Sequence, residues 1–154
     1  MLNATSDLRT RDRTVGPAVI VRAGICLLII TSGLTLRGFG LGLGLPSPFV
    51  KYGGSLLWGA MVFFLVATAA PRLSRWPIAL VSAAIAIGVE LFRLVHAPWL
   101  DAFRLTLAGA LLLGRIFSPW NLLAYGAGIV LAALLNGWAM RTFVRTTREA
   151  RAQG

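Results

Sequence analysis

Long apolar runs alternate with short polar stretches along the whole chain. Four runs are long enough to cross a bilayer as helices, at about residues 18–36, 50–70, 77–95 and 120–138. A hydrocarbon layer roughly 30 Å thick is crossed by about 20 helical residues. The pattern therefore predicts an all-α, polytopic integral membrane protein with four transmembrane helices.

A fifth apolar run, residues 102–114, is too short for a crossing. At about 1.5 Å per residue, a helix of this length reaches only about 20 Å, so crossing would distort the bilayer. We predict a short re-entrant or interfacial helix between the third and fourth transmembrane helices. Asp101, directly before the run, is expected to cap its first turn.

Composition supports a single membrane domain. Of the 154 residues, 57% are hydrophobic and only 13% are charged, which excludes an ordinary soluble protein. No repeat or long linker divides the chain, so we expect one domain at residues 17–140 between tails at 1–16 and 141–154. With one cysteine and one histidine, the chain offers neither an internal disulfide nor a Cys/His zinc site. No metal or cofactor is expected.

The formal charge of +10 is explained by topology. With four crossings, the arginines of both tails and of the loop at residues 72–75 fall on one side. Positive residues favour the cytoplasmic side, so both termini are predicted to be cytoplasmic. Arg22, about one turn inside the first helix, is expected to extend back to that surface. Nucleic-acid binding is not expected.

Several ionisable residues fall on the opposite, outer side. The cations are Arg37, Lys51, Arg93, Arg104 and Arg115, and they accompany Glu90, His96 and Asp101. An acid inside a transmembrane helix costs about 2.5–3.5 kcal/mol unless it is compensated. Arg93 can pair with Glu90 along the helix, and Arg104 or Arg37 can do so from another helix. A packing salt bridge and a binding pocket both fit this pattern.

Small and polar residues form one stripe on the fourth helix. Asn121, Tyr125, Gly128 and Ala132 share a side at steps of four, three and four residues, which favours close helix packing. Asn121 and Tyr125 lie toward the outer end, where they can also reach the charged residues. His96, beside Trp99, is interpreted chiefly as an interfacial residue.

Guanidinium groups match the oxygens of phosphate, so the outer cations suggest an anionic ligand. We predict non-enzymatic binding of an anionic lipid or a lipid-linked cell-envelope precursor, with no catalytic residue. The predicted ligand-binding residues are Arg37, Lys51, Glu90, Arg93, Asp101, Arg104, Arg115, Asn121 and Tyr125.

Two other functions stay open. A small transporter or proton-coupled carrier would use Glu90 for proton exchange, and a homo-oligomer could supply the larger pathway that it needs. A membrane enzyme acting on lipid headgroups would use Glu90 or Asp101 as a base, supported by His96.

Three segments carry a family resemblance. They read LTLRGFGLGL, FVKYGGSLLWGAMVFFL and VELFRLVHAPWLDAFRLTLAGALLLGRIFSPWNLLAYGAG. Together they resemble the small bacterial membrane proteins grouped as domain of unknown function family 2809, over about residues 34–134. More distantly, Glu90 and Arg115 match the glutamate and arginine of the VanZ-like pattern, a family linked to glycopeptide resistance at the cell envelope. The resemblance implies a multi-pass protein of the bacterial cytoplasmic (inner) membrane and carries over no catalytic residue.

Overall fold

The computed structural model describes residues 3–106, 108–109, 113 and 117–152, with side chains described only between residues 16 and 142. Within this part the chain forms five helices: α1 (Asn3–Phe39), α2 (Ser47–Ala69), α3 (Arg75–Phe92), α4 (Pro98–Leu105) and α5 (Pro119–Ala152). Among the described residues, four helical stretches are long and apolar enough to cross a membrane: Gly16–Phe39, Ser47–Ala69, Arg75–Phe92 and Pro119–Thr142. The predicted all-α membrane protein with four spanning helices is confirmed.

The end of the third spanning helix differs from the prediction. α3 stops at Phe92 rather than near residue 95, and the chain then turns through Leu94 and Val95. Ala97 is extended and Pro98 starts α4, since proline fits the first helical position but cannot continue a preceding helix. Glu90 therefore lies less than one turn from the end of α3.

The short helix also begins earlier than predicted. Because α4 starts at Pro98, Asp101 lies inside its first turn and makes no capping hydrogen bond, so the predicted capping role is wrong. Of the predicted run at 102–114, the structure describes only residues 102–106, 108–109 and 113. Both predicted tails are largely continuations of helices, since α1 begins at Asn3 and α5 extends to Ala152.

α2 is the central helix, packed against α1, α3 and α5. Ser55 contacts Asn121, and Gly59 lies against Tyr125, so residue numbers rise together along α2 and α5 and these two helices run parallel. A Cβ atom on Gly59 would lie 2.5 Å from the Tyr125 carbonyl oxygen, and one on Gly128 would overlap the Leu56 carbonyl oxygen. Glycine permits this close approach of the two backbones.

The α5 stripe predicted from sequence faces these contacts. Asn121, Tyr125, Gly128 and Ala132 are all buried, which confirms the packing interpretation. Phe63 and Phe64 of α2 are also fully buried and meet edge to face, with ring centroids 5.5 Å apart.

Arg22 does not extend to the surface as predicted. It is only 6% exposed, and its Nε donates a hydrogen bond to the Asn136 side chain at 3.0 Å. One terminal nitrogen donates to the carbonyl oxygens of Ala67, at 2.9 Å, and Pro71, at 3.4 Å. The carbonyls at the end of α2 lack helical donors, so the guanidinium satisfies them and joins α1, α2 and α5.

Candidate functional site

The Glu90 carboxylate is fully buried at the end of the bundle where α3 stops and α5 begins. Its Oε1 accepts hydrogen bonds from the Ser118 backbone N–H at 2.7 Å and from the Asn121 side-chain amide at 3.4 Å. Its Oε2 lies 2.6 Å from a terminal nitrogen of Arg93. The predicted pairing of Glu90 with Arg93 is present.

Sequence position explains how an acid is accommodated there. Ser118 directly precedes α5, where backbone N–H groups lack helical acceptors and the helix dipole is positive. The carboxylate therefore meets a helix N-terminus on one side and a guanidinium on the other. Both supply hydrogen-bond donors to the carboxylate oxygens, and together they offset the loss of water.

Arg93 joins three parts of the chain. It is 7% exposed and follows the last residue of α3. Besides its ion pair with Glu90, its Nε donates to the Leu113 carbonyl oxygen at 2.5 Å and a terminal nitrogen donates to the Tyr125 hydroxyl at 2.8 Å. The guanidinium thus ties the segment before α5 to α3 and α5.

Asn121 extends these contacts to α2. Its amide group donates to Glu90, while its carbonyl oxygen accepts a hydrogen bond from the Ser55 hydroxyl at 3.3 Å. This division of donor and acceptor fixes the orientation of the amide. We call Ser55, Glu90, Arg93, Asn121 and Tyr125 the buried polar network.

A second cluster connects α4 to the end of α3. Arg104 is 3% exposed, and its terminal nitrogens donate to the carbonyl oxygens of Phe92, at 2.7 Å, and Val95, at 2.8 Å. Asp101 lies 3.1 Å from Arg104 and 3.3 Å from Nδ1 of His96. Arg104 therefore caps α3, and Asp101 and His96 form the partly exposed side of the cluster.

Arg37 and Lys51 are exposed and belong to neither cluster. Among the residues that the structure describes, neither side chain has an ion pair or a side-chain hydrogen bond. Lys51 Nζ lies 5.3 Å from the centre of the Tyr52 ring. The Arg37 side chain lies against the backbone of Gly54, where an added Cβ would come within 3.2 Å of its Nε.

Arg37 stands at the end of a groove between the first two helices. The groove, here the α1–α2 groove, has a volume of about 290 Å³. It is lined by Ile29, Ile30, Gly33, Leu34, Arg37, Gly54, Leu57, Trp58 and Met61. Among the described residues that line it, Arg37 supplies the charged group and the other side chains are largely apolar. Trp58 also packs on Tyr125, with ring centroids 4.9 Å apart, so it contacts both the groove and the buried polar network.

The structure divides the nine predicted site residues into separate groups. It brings Glu90, Arg93, Asn121 and Tyr125 together inside the bundle, and it places Asp101 and Arg104 in the α4 cluster. Arg37 and Lys51 lie outside both groups, and Arg115 is outside the described residues. No single cavity lined by all of the charged residues is found in the described part of the chain.

Sequence reasoning missed three participants. The hydrogen bond from the Ser118 backbone N–H to Glu90 was not predicted, because every residue except proline has a backbone donor and its use cannot be read from residue type. The serine followed by proline does indicate the start of a helix at this point. Ser55 and Trp58 carry no charge and were not among the predicted site residues. Their contacts with Asn121 and Tyr125 depend on the parallel register of α2 and α5.

Comparison with known proteins adds one finding. The model of a protein family described as "Protein of unknown function (DUF2809)" matches residues 45–129, more than half of the chain. This region includes α2, α3, α4 and the first part of α5, and with them the whole buried polar network. No solved structure matches the chain.

Proposed function

The chain belongs to the DUF2809 family, and from the geometry we propose that it binds an anionic membrane lipid in the α1–α2 groove. One hydrocarbon tail would lie along the groove, and the headgroup phosphate would meet Arg37. Positive-inside bias would place this end of the bundle at the outer face of a bacterial cytoplasmic membrane. A lipid-linked cell-envelope precursor also combines a hydrocarbon tail with a phosphate group, so it would fit the same groove.

The shape of the groove supports a single tail. Small-molecule sites typically measure about 300–1,000 Å³, and this groove is at the low end of that range at about 290 Å³. The residues that line it cover about two turns of each helix, from Ile29 to Arg37 and from Gly54 to Met61. An apolar tail would bury surface against these walls, where Arg37 is the charged side chain among the described lining residues.

The proposal rests on the exposure of the Arg37 guanidinium and on its lack of a side-chain partner among the described residues. An arginine forms short, two-pronged hydrogen bonds with phosphate, and the headgroup layer is where phosphate occurs. Gly54 leaves room for the side chain to lie flat beside the groove.

The other predicted ligand residues are assigned different tasks. The guanidinium groups of Arg93 and Arg104 are buried against protein acceptors, so we assign them to holding α3, α4 and α5 in place. Glu90, Asn121 and Tyr125 complete that framework. Among the described outer cations, Arg37 is the one that lines the α1–α2 groove, so we assign the phosphate contact to it.

The test is native mass spectrometry of protein released from nanodiscs that contain equal amounts of phosphatidylglycerol and phosphatidylcholine. Arg37→Ala should lower retention of phosphatidylglycerol about tenfold, because a charge-assisted hydrogen bond contributes about 1.5–3 kcal/mol. Arg37→Lys should retain part of the binding. Arg141→Ala removes an exposed arginine at the other end of the bundle and should have no effect. Equal retention by the parent and Arg37→Ala would contradict the proposal.

The contact between His96 and Asp101 supports a second candidate, an enzyme acting on lipid headgroups. Asp101 lies 3.3 Å from Nδ1 and can orient the imidazole, leaving Nε2 available as a base for water. Purified protein should then release the headgroup from phosphatidylglycerol, and His96→Ala should abolish the release. Absence of release by the parent would remove this candidate. A carrier that uses Glu90 gains no such support, since both carboxylate oxygens are buried against protein groups.

A further inference from the structure

Lys51 lies one helical turn beyond the residues of α2 that line the α1–α2 groove, on the same face of the helix. Lys51, Gly54, Trp58 and Met61 follow steps of three, four and three residues, and the last three line the groove. We infer that the lipid in this groove ends in a free phosphate with two negative charges, and that Lys51 meets the second charge. This rests on the proposed function and names the class of lipid.

Two positive charges at this end of the bundle have no counter-charge among the described residues. The acids that the structure describes here, Glu90 and Asp101, each have a buried arginine as a partner. Arg37 and Lys51 are both exposed, and neither has an ion pair within the described part of the chain. A phosphodiester carries one negative charge and would neutralise only one of them. A terminal phosphate carries about −1.5 to −2 charges at pH 7 and matches both.

Arg37 reaches α2 one turn deeper in the bundle than Lys51 does. The Arg37 side chain lies against Gly54, where an added Cβ would be 3.2 Å from its Nε. Residues three apart on a helix have Cβ atoms about 5–6 Å apart, so the stem of Lys51 starts close to this point and nearer the headgroup layer. A phosphate bound by Arg37 would therefore be within reach of the long, flexible lysine side chain.

Phosphate binding would exchange a weak contact of Lys51 for a stronger one. In the structure its ammonium group lies 5.3 Å from the centre of the ring of the adjacent Tyr52. At an exposed site such a cation–ring contact is weaker than a charge-assisted hydrogen bond with phosphate. Rotation about the bonds of the lysine stem carries the ammonium group from the ring to the mouth of the groove.

The test compares two lipids that differ by one methyl group. Phosphatidic acid ends in a free phosphate, whereas phosphatidylmethanol has the same tails and a methyl cap that removes one negative charge. Native mass spectrometry follows release from nanodiscs with equal amounts of both. The parent should retain phosphatidic acid about tenfold more, because one further charge-assisted hydrogen bond forms. Lys51→Ala should retain the two lipids equally, whereas Lys51→Arg and the distant control Arg141→Ala should keep the preference.

The two levels of the proposal fail in different ways. Arg37→Ala should retain little of either lipid, since both phosphates depend on Arg37. A parent that retains both lipids equally, or a preference that persists in Lys51→Ala, would overturn the role of Lys51 and leave binding through Arg37 intact. A parent that retains neither lipid would contradict the proposed function, and the assignment of the headgroup with it.

A terminal phosphate can come from a phospholipid or from a polyprenyl carrier. Nanodiscs with equal amounts of phosphatidic acid and a polyprenyl phosphate distinguish these sources, because the headgroup charge is the same and only the tail differs. Greater retention of one lipid would assign the tail. In either case retention should fall in Lys51→Ala, and unchanged retention of both lipids in that variant would contradict the second phosphate contact.

Discussion

The buried polar network and the α1–α2 groove each contain an arginine near the same end of the bundle, but the two guanidinium groups have opposite surroundings. Arg93 is buried and bonds to Glu90, Tyr125 and a backbone carbonyl. Arg37 is exposed and lies beside glycine and apolar side chains. A ligand phosphate could approach Arg93 only by displacing protein acceptors, whereas Arg37 needs no such rearrangement. Availability of donors, and not charge alone, therefore separates a structural arginine from a candidate binding arginine.

The largest loss of unfolding free energy is expected from Glu90→Ala. It leaves Arg93 buried without its counter-charge, and breaking a buried ion pair costs about 3–5 kcal/mol of unfolding free energy. Unfolding in mixed micelles, followed by circular dichroism, measures the loss. The double variant Glu90→Leu with Arg93→Met should be less destabilised than Glu90→Ala, because no unpaired charge is left. A loss below about 1 kcal/mol for Glu90→Ala would mean that the network does not hold the bundle together.

Gly128→Ala should be the next most disruptive change. The added methyl group would overlap the Leu56 carbonyl oxygen, so α5 must move away from α2 and strain the contact between Ser55 and Asn121. Overpacking of this kind costs about 1–3 kcal/mol. Gly126→Ala is the matched control, because outside the adjacent backbone of α5 no described atom lies within 4 Å of its added methyl group. Equal stability of the two variants in the same assay would contradict the close crossing of α2 and α5.

Arg104→Gln should weaken the attachment of α4. Its hydrogen bonds to two carbonyl oxygens at the end of α3 would be lost, at a cost of about 1.5–3 kcal/mol for a charged donor. Hydrogen exchange should therefore become faster in α4 than in α2. Asp101→Asn keeps both carbonyl contacts, so its exchange should change much less. Similar acceleration in both variants would assign the attachment to the ion pair and not to capping of α3.

The smallest effect on stability is expected from Arg37→Ala. An exposed side chain that has no ion pair or side-chain hydrogen bond among the described residues contributes within about 0.5 kcal/mol in lipid-free micelles. Added phosphatidylglycerol should stabilise the parent by about 2.7 kcal/mol at a hundred times the dissociation constant. Added phosphatidylglycerol should stabilise Arg37→Ala much less than it stabilises the parent. A large loss of stability without lipid would place Arg37 with the structural arginines and remove the contrast with Arg93.

Much of the fold follows from the linear pattern. The four spanning helices were predicted because crossing a bilayer requires a fixed length of apolar residues. Their ends were less predictable, as α3 and α4 show. α3 stops at Phe92, where the chain turns toward Pro98, although the apolar run continues to Val95. The predicted cap by Asp101 failed for the same reason, since the proline had already started the helix.

The candidate site was predicted only in outline. The pairing of Glu90 with Arg93 could be expected because residues three apart on a helix are neighbours. The sequence did not predict that Arg104 donates to a carbonyl oxygen at the end of α3. It also did not predict that Arg22 donates to a carbonyl oxygen at the end of α2. Both interactions depend on backbone groups at helix ends, and residue spacing contains no information about which distant arginine will reach them.

The sequence by itself determined that this chain enters a membrane with four helices, because the cost of exposing polar groups to hydrocarbon acts on every residue of a span independently of its neighbours. It also determined that an acid in α3 would need a partner. Only the tertiary structure decided which cations became partners. The parallel register of α2 and α5 and the position of the α5 N-terminus placed Arg93 inside the bundle, while Arg37 was left beside an open groove.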